Sequence, residues 1–262
     1  MPVPAFLPES VTWRVNREGA LVLAGGRALL MQLAHPAVAA TVATHSQFRR
    51  RPLRRLTRTL GLTLAMCFGT PDEAATAART INGAHRRVGA TDPAHLLWVH
   101  ATLVDSALLA YRTFVGDLPP ADAECYYQES KTLGAVLGVP PRYYPGKLDD
   151  LRRYVDGMLD GDELVVDERA QRLAHDVLWP PVRAVPTALW HPSAALAAGL
   201  LPARLRAAYG LPLGRAERAV LALVRLTAPR LPLWLRSTPP ARRALRRISR
   251  QSRAVRQSPV SD

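Results

Sequence analysis

Between Arg55 and Asp105 the chain carries side chains of the kinds that hold and activate a bound group: Arg55 with Thr59, then His85, His100 and Asp105. Arg55 and Thr59 are four residues apart, so on a helix they stand one turn apart on a shared face. A guanidinium there offers a permanently charged, bidentate fork to a carboxylate. His85 falls inside a stripe of Ala74, Ala77, Ala78, Ile81, Ala84 and Val88 that recurs at helical spacing. An imidazole nitrogen is a good ligand for haem iron, provided the second ring nitrogen is oriented by an acceptor. A face built mostly of alanine leaves room beside it for something broad and flat, such as a porphyrin edge. The same pattern also describes a satisfied histidine in a helix–helix contact, and spacing alone leaves both readings standing. His100 and Asp105, in WVHATLVDS, either orient His85, line a pocket, or satisfy one another inside a buried helix.

Other chemistries lack their motifs. The sequence contains no HExxH, no Glu-x-x-His pair of the di-iron kind, no GxSxG and no P-loop, and Gly25-Gly26 precedes no strand–helix phosphate site. Without CxxCH, a haem would be held non-covalently.

The elements that must position these residues have well-marked ends. The pattern predicts a helix over Pro52–Phe68, with a stripe of Leu53, Leu56, Leu60, Leu64 and Cys67, stopped by Gly69. Thr70-Pro71-Asp72-Glu73 restarts a helix at once: Thr70 as N-cap, Pro71 at the first position and Glu73 closing a capping box. Gly89 ends it, and Asp92-Pro93 opens a helix to Phe114 that is apolar on both faces and therefore buried. Upstream, Arg17–Ala34 is expected as one central helix, with Gly25 and Gly26 allowing close approach of a backbone or a flat ligand. A second segment follows Pro36, with His35 and His45 near its ends. Downstream helices are expected over Pro120–Leu137, Lys147–Asp160, Glu168–Leu178, Pro192–Leu200, Pro202–Tyr209, Arg215–Thr227 and Pro240–Arg250, with a short extended piece at Glu163–Val166.

Composition agrees with an all-α fold: alanine and leucine dominate and aromatics are 6%. We expect a single multi-helix globular domain over residues 12–250 enclosing a cofactor pocket, an N-terminal arm over 1–11 and a disordered tail over 251–262. The net charge of +14 is concentrated at one end, since residues 199–262 hold fourteen arginines, no lysine and only Glu217 and Asp262 as acids. In Pro240–Arg250 the arginines oppose Ala241, Ala244, Leu245 and Ile248, an amphipathic basic helix compatible with a membrane surface or an acidic partner. The plain alternative is a solvated basic face; no specific nucleic-acid partner is expected. Cys67 and Cys125 form no CxxC and fit reduced thiols. MPVPAFLPES has neither the basic nor the apolar region of a signal peptide, and Ala20–Ala34 is too short and interrupted to span a bilayer. The expectation is a cytoplasmic protein, with any membrane contact peripheral.

Four stretches together carry a resemblance: LLMQLAHPAVAATVATHSQF, RRLTRTL…FGTPDEA, INGAHRRVGATDPAHLLWVHATLVDS and YYQESKTLGAVLGVP. Over roughly residues 12–180 the chain resembles the bacterial and fungal haem oxygenases that include latex-clearing rubber oxygenase and the membrane-bound oxygenase of mycophenolic acid biosynthesis. The resemblance implies a helical domain enclosing haem b and the oxidative cleavage of carbon–carbon double bonds. It implies that His85, in HRRV, is the proximal iron ligand and that Arg55 and Thr59 form the distal side. The rubber oxygenase has a lysine before that threonine which can take the sixth iron position; this chain has Arg58, a poor iron ligand because it stays protonated. A glutamate proposed as base in rubber cleavage has no equivalent here, its place falling near Ala39. Both departures argue against polyisoprene as substrate. The function expected is therefore a haem b oxygenase acting with dioxygen on an apolar small molecule. The contrasting expectation is a non-enzymatic helical module that docks through its basic end.

Overall fold

The computed structural model describes residues 6–44, 52–180 and 185–257, and these are all-α. In chain order the helices are α1 Val11–Asn16, α2 Ala20–Leu23, α3 Gly25–Leu33, α4 Pro36–Ala43, α5 Pro52–Phe68, α6 Pro71–Arg87, α7 Pro93–Phe114 and α8 Pro120–Val136. They continue as α9 Leu148–Asp160, α10 Glu168–Leu178, α11 His191–Leu200, α12 Ala203–Ala208, α13 Arg215–Thr227, α14 Leu233–Arg236 and α15 Pro239–Gln257. No strand occurs among the described residues; the Glu163–Val166 piece docks instead through the Val165 N–H, which donates to the Ala34 carbonyl at 2.8 Å.

Helix α7 is the axis of the packing, as its two apolar faces require. Trp98, Ala101, Val104 and Ala107 join Leu30 and Met31 of α3, Tyr126 and Tyr127 of α8, Leu151 of α9 and Ala197 of α11 in one cluster. Trp98 is wholly buried and its indole N–H donates to the Met31 carbonyl at 3.2 Å, so the largest core side chain leaves no orphaned donor.

The single helix expected over Arg17–Ala34 is instead a turn followed by α2 and α3, which meet at Ala24. The turn at its start comes from a contact remote in sequence. The Gly19 N–H donates to the Arg236 carbonyl at 2.6 Å and the Thr238 N–H donates to the Arg17 carbonyl at 2.8 Å, around an isolated bridge of Glu18 with Ser237. A Cβ at Gly19 would stand 2.9 Å from the Arg236 oxygen. Gly26 serves the predicted close approach, to a backbone: its missing Cβ would lie 2.9 Å from the Ala197 Cβ where α3 meets α11.

Gly69 closes α5, since a Cβ there would be 2.4 Å from the Ala65 carbonyl. The capping box then forms in full: the Glu73 N–H donates to Thr70 Oγ1 at 3.2 Å and the Thr70 N–H to Glu73 Oε2 at 2.7 Å. Gly89 leaves α6 with φ +67°, a backbone that favours glycine.

Helix α15 runs past Arg250 to Gln257, while residues 258–262 lie outside the described set. Its apolar face is not presented to solvent: Ala241, Ala244, Leu245 and Ile248 pack with Trp13, Met66 and Phe68. Arg247 adds a hydrogen bond to the Phe68 carbonyl at 2.9 Å. No single helix among the described residues is long and apolar enough to cross a membrane.

Candidate functional site

Two helices of equal length, joined only by Gly69 and Thr70, pack along each other as α5 and α6. So short a connection makes them antiparallel neighbours. At about 1.5 Å rise per residue, Arg55 and His85 each stand about 20 Å from that connection, at the same end of the hairpin. Burial falls away in the same direction on both helices. On α5, Met66, Cys67 and Phe68 are buried, Leu60, Leu62 and Leu64 are half-buried and Arg58 is exposed. On α6, Ala74, Ala77 and Ala78 are buried, whereas Ile81, His85 and Val88 are half-buried. Among the described side chains, burial in the hairpin is deepest at the connection and shallower toward His85. Ala84, expected inside the inward stripe, is exposed: residues 74, 78, 81 and 85 repeat at alternating intervals of four and three, and position 84 falls beside that line. The side chains of Arg55 and Thr59 lie outside the described residues, as does His45; for the first two it is their place on α5 that the hairpin defines.

His100 belongs to a different environment. Its ring is 3% exposed, its Nε2–H donates to the Ser130 carbonyl at 3.0 Å, and Tyr144 stands edge-on at 5.5 Å. Burial pushes its pKa down to about 4, so the imidazole is neutral near pH 7. Asp105, one and a half turns further along α7, pairs with Arg27: Arg27 Nη2 is 2.6 Å from Asp105 Oδ2. The hydrogen-bonded pair of His100 with Asp105 does not form, because five residues of helix separate them by about 140° of rotation and each finds its own partner.

Arg27 was passed over by sequence reasoning except as an interruption of an apolar run. It is 5% exposed, and besides Asp105 it donates through Nε to the Leu200 carbonyl at 2.9 Å and through Nη1 to Ser106 Oγ at 2.6 Å. A charged side chain amid LVLAGGRALLMQLA was the signal, since a buried guanidinium must find partners. Arg27 and Asp105 reach the wall of a cavity of about 480 Å³ between α7, α8 and α9, where Arg112, Glu124, Leu148 and Arg152 also line it. Asp105 therefore does line a cavity, one whose walls do not include His85.

A second pair escaped notice: the rings of His35 and His95 meet edge to face at 4.7 Å, where α3 turns into α4. Burial, and then the neighbouring His95, push the pKa of His35 down.

No group of three His, Cys, Asp or Glu is placed to hold a metal among the described residues, whereas haem iron needs only one or two protein ligands. Cys67 is buried, with its thiol pushed up to about 12, so it offers no thiolate. His85, half-buried on a small-residue stripe at the end of the hairpin away from its connection, has the right chemistry and access.

Residues 13–230 match the family model described as ER-bound oxygenase mpaB/B'/Rubber oxygenase, catalytic domain. No curated protein and no solved structure matches the chain.

Proposed function

Since the chain belongs to the mpaB and rubber oxygenase catalytic-domain family, we propose that it is a haem b-dependent oxygenase, with His85 as the protein's iron ligand. Its substrates would be dioxygen and an apolar small molecule, with cleavage of a carbon–carbon double bond as the reaction. The observation that carries this reading is the α5–α6 hairpin, whose lengths place His85 and Arg55 at the same level away from the connection, where His85 is half-buried.

Haem b would supply an iron at which dioxygen is activated. The chain's own contribution is positional and electrostatic. His85 offers an imidazole nitrogen from the last turn of α6. Arg55 offers a fixed positive fork, suited to a haem propionate or to negative charge developing on oxygen. Thr59, one turn along α5, offers a hydroxyl that can donate or accept a proton. Arg58 is exposed, and a guanidinium, which has no acceptor atom, would be a poor ligand for the iron. Ala39, where the rubber oxygenase would have its glutamate, is buried and apolar. That supports a substrate other than polyisoprene, handled without a carboxylate base at that point. His100 and Asp105 act at a distance, by fixing α7 against α8 and α3.

The experiment is an absorption spectrum of protein purified from haem-replete cells. A Soret band in the wild type that is missing from His85→Ala supports the proposal; a colourless wild type sinks it. The contrasting reading is a non-enzymatic module that docks through its basic end; there the apolar face of α15 is packed against α1 and α5, while Arg243, Arg246 and Arg250 stay exposed, and a wild type without a Soret band that still binds anionic vesicles or an acidic partner would favour it.

A further inference from the structure

Six large apolar side chains crowd one exposed stretch near the C-terminal end of the fold: Leu223 and Leu226 on α13, Leu231 after it, and Leu233, Trp234 and Leu235 in α14. Trp234 is 65% exposed and Leu223 61%. Single exposed leucines are ordinary, but so many exposed large apolar side chains within one short stretch mark a contact surface. The stretch is held firmly from behind. The opposite face of α13, through Val220, Leu221 and Val224, packs on Phe114, Leu196 and Leu200. At the other end Arg236 is fixed by the Gly19 N–H on its carbonyl and by Glu18, 3.2 Å from its Nε. These apolar groups are therefore displayed by a rigid base.

Along the sequence, this stretch carries one sign of charge. Between Glu217 and Asp262 the sequence has no acidic residue, while Arg225 and Arg230 are interleaved with the leucines and both are exposed. Arg242 of α15 donates to the Trp234 carbonyl at 3.2 Å, which brings the start of the basic helix beside the tip. Arg243, Arg246 and Arg250 of that helix are exposed.

We propose that the 223–235 tip, flanked by the arginines of α13 and α15, is a docking surface for an anionic lipid bilayer. Leucines enter the acyl boundary, Trp234 sits at the headgroup level where its amphipathic ring is favoured, and the arginines meet lipid phosphates and carboxylates. The roles differ from those expected of α15 alone. The basic helix spends its apolar face on the protein core and contributes charge; the inserting groups belong to α13 and α14. A second copy of the chain is a poor occupant, because two such faces would oppose arginine with arginine and no acid. A nucleic acid would meet the charge but leave the leucines uncovered.

The test uses the full chain with vesicles of phosphatidylserine and phosphatidylcholine in equal parts, against phosphatidylcholine alone. Co-sedimentation is expected with the anionic vesicles, weaker by about tenfold or more without phosphatidylserine and weakened again by salt. The double variant Leu233→Asp with Leu235→Asp, at exposed positions, is expected to lose binding by about tenfold or more, as is Arg225→Glu with Arg230→Glu. Tryptophan emission should shift to the blue on binding in the wild type; Trp234→Phe should still bind while losing that shift. No binding, or binding that ignores the aspartate variant, overturns the proposal. So does lipid-free self-association that the same variant abolishes, which would assign the face to a second copy, and so does binding to duplex DNA that competes with vesicles and ignores the leucines.

Discussion

Arg27 Nη2 and Asp105 Oδ2 stand 2.6 Å apart, joining α3 to the middle of α7. The arginine is almost wholly enclosed and the aspartate is partly open to the cavity beside it. Breaking such a pair from one side leaves the other charge without compensation, which costs about 3 kcal/mol when burial is deep. Arg27→Met is therefore expected to lower unfolding stability by about 2–3 kcal/mol in a urea titration, discounted for the exposure of Asp105. Asp105→Asn should cost less and leave the absorption spectrum unchanged, because Asp105 is engaged by Arg27. A shifted Soret band in that variant would contradict this assignment.

His100 predicts an acid limb of stability. Its folded pKa is pushed down to about 4 from an ordinary 6.5, so the unfolded chain takes up a proton first. The stabilisation is complete above pH 6.5 and is lost as pH falls toward about 4. The loss over that window is about 3 kcal/mol at most. Unfolding followed at a series of pH values should show this slope, and His100→Gln should flatten it. An unchanged slope in the variant would place the titration elsewhere.

The neighbouring glycines Gly25 and Gly26 should answer substitution with opposite signs. At Gly26 a Cβ meets the Ala197 Cβ at 2.9 Å, whereas at Gly25 it meets nothing within 4 Å. Gly26→Val is expected to cost about 2 kcal/mol by overpacking, while Gly25→Ala should gain up to about 1 kcal/mol from helix propensity. Thermal unfolding of the two variants decides it; a large loss at Gly25→Ala would mean that position also receives a close partner.

Local signals were legible in the sequence wherever the cause was local. The Thr70 capping box, the stops at Gly69 and Gly89 and the bounds of α5, α10 and α13 follow from residues within a turn of each other. The non-helical start at Arg17–Gly19 was not legible, because its cause is the pairing of residues 17–19 with 236–238. The same reason hid the partners of Asp105 and His100: spacing on α7 names the face of a residue, but Arg27 and the Ser130 carbonyl arrive from other helices. His85 could be placed on its stripe from the 3.6-residue period. That burial fades along this stripe is a property of the packed hairpin.

The central claim is that His85 holds haem iron, and the direct measurement is a haem titration of apoprotein followed at the Soret band. The wild type is expected to saturate at one haem per chain, His85→Gly to form no saturable low-energy Soret complex, and the band to recover when free imidazole is added to that variant. A wild type that does not saturate, or a His85→Gly protein whose titration matches it, would contradict the account.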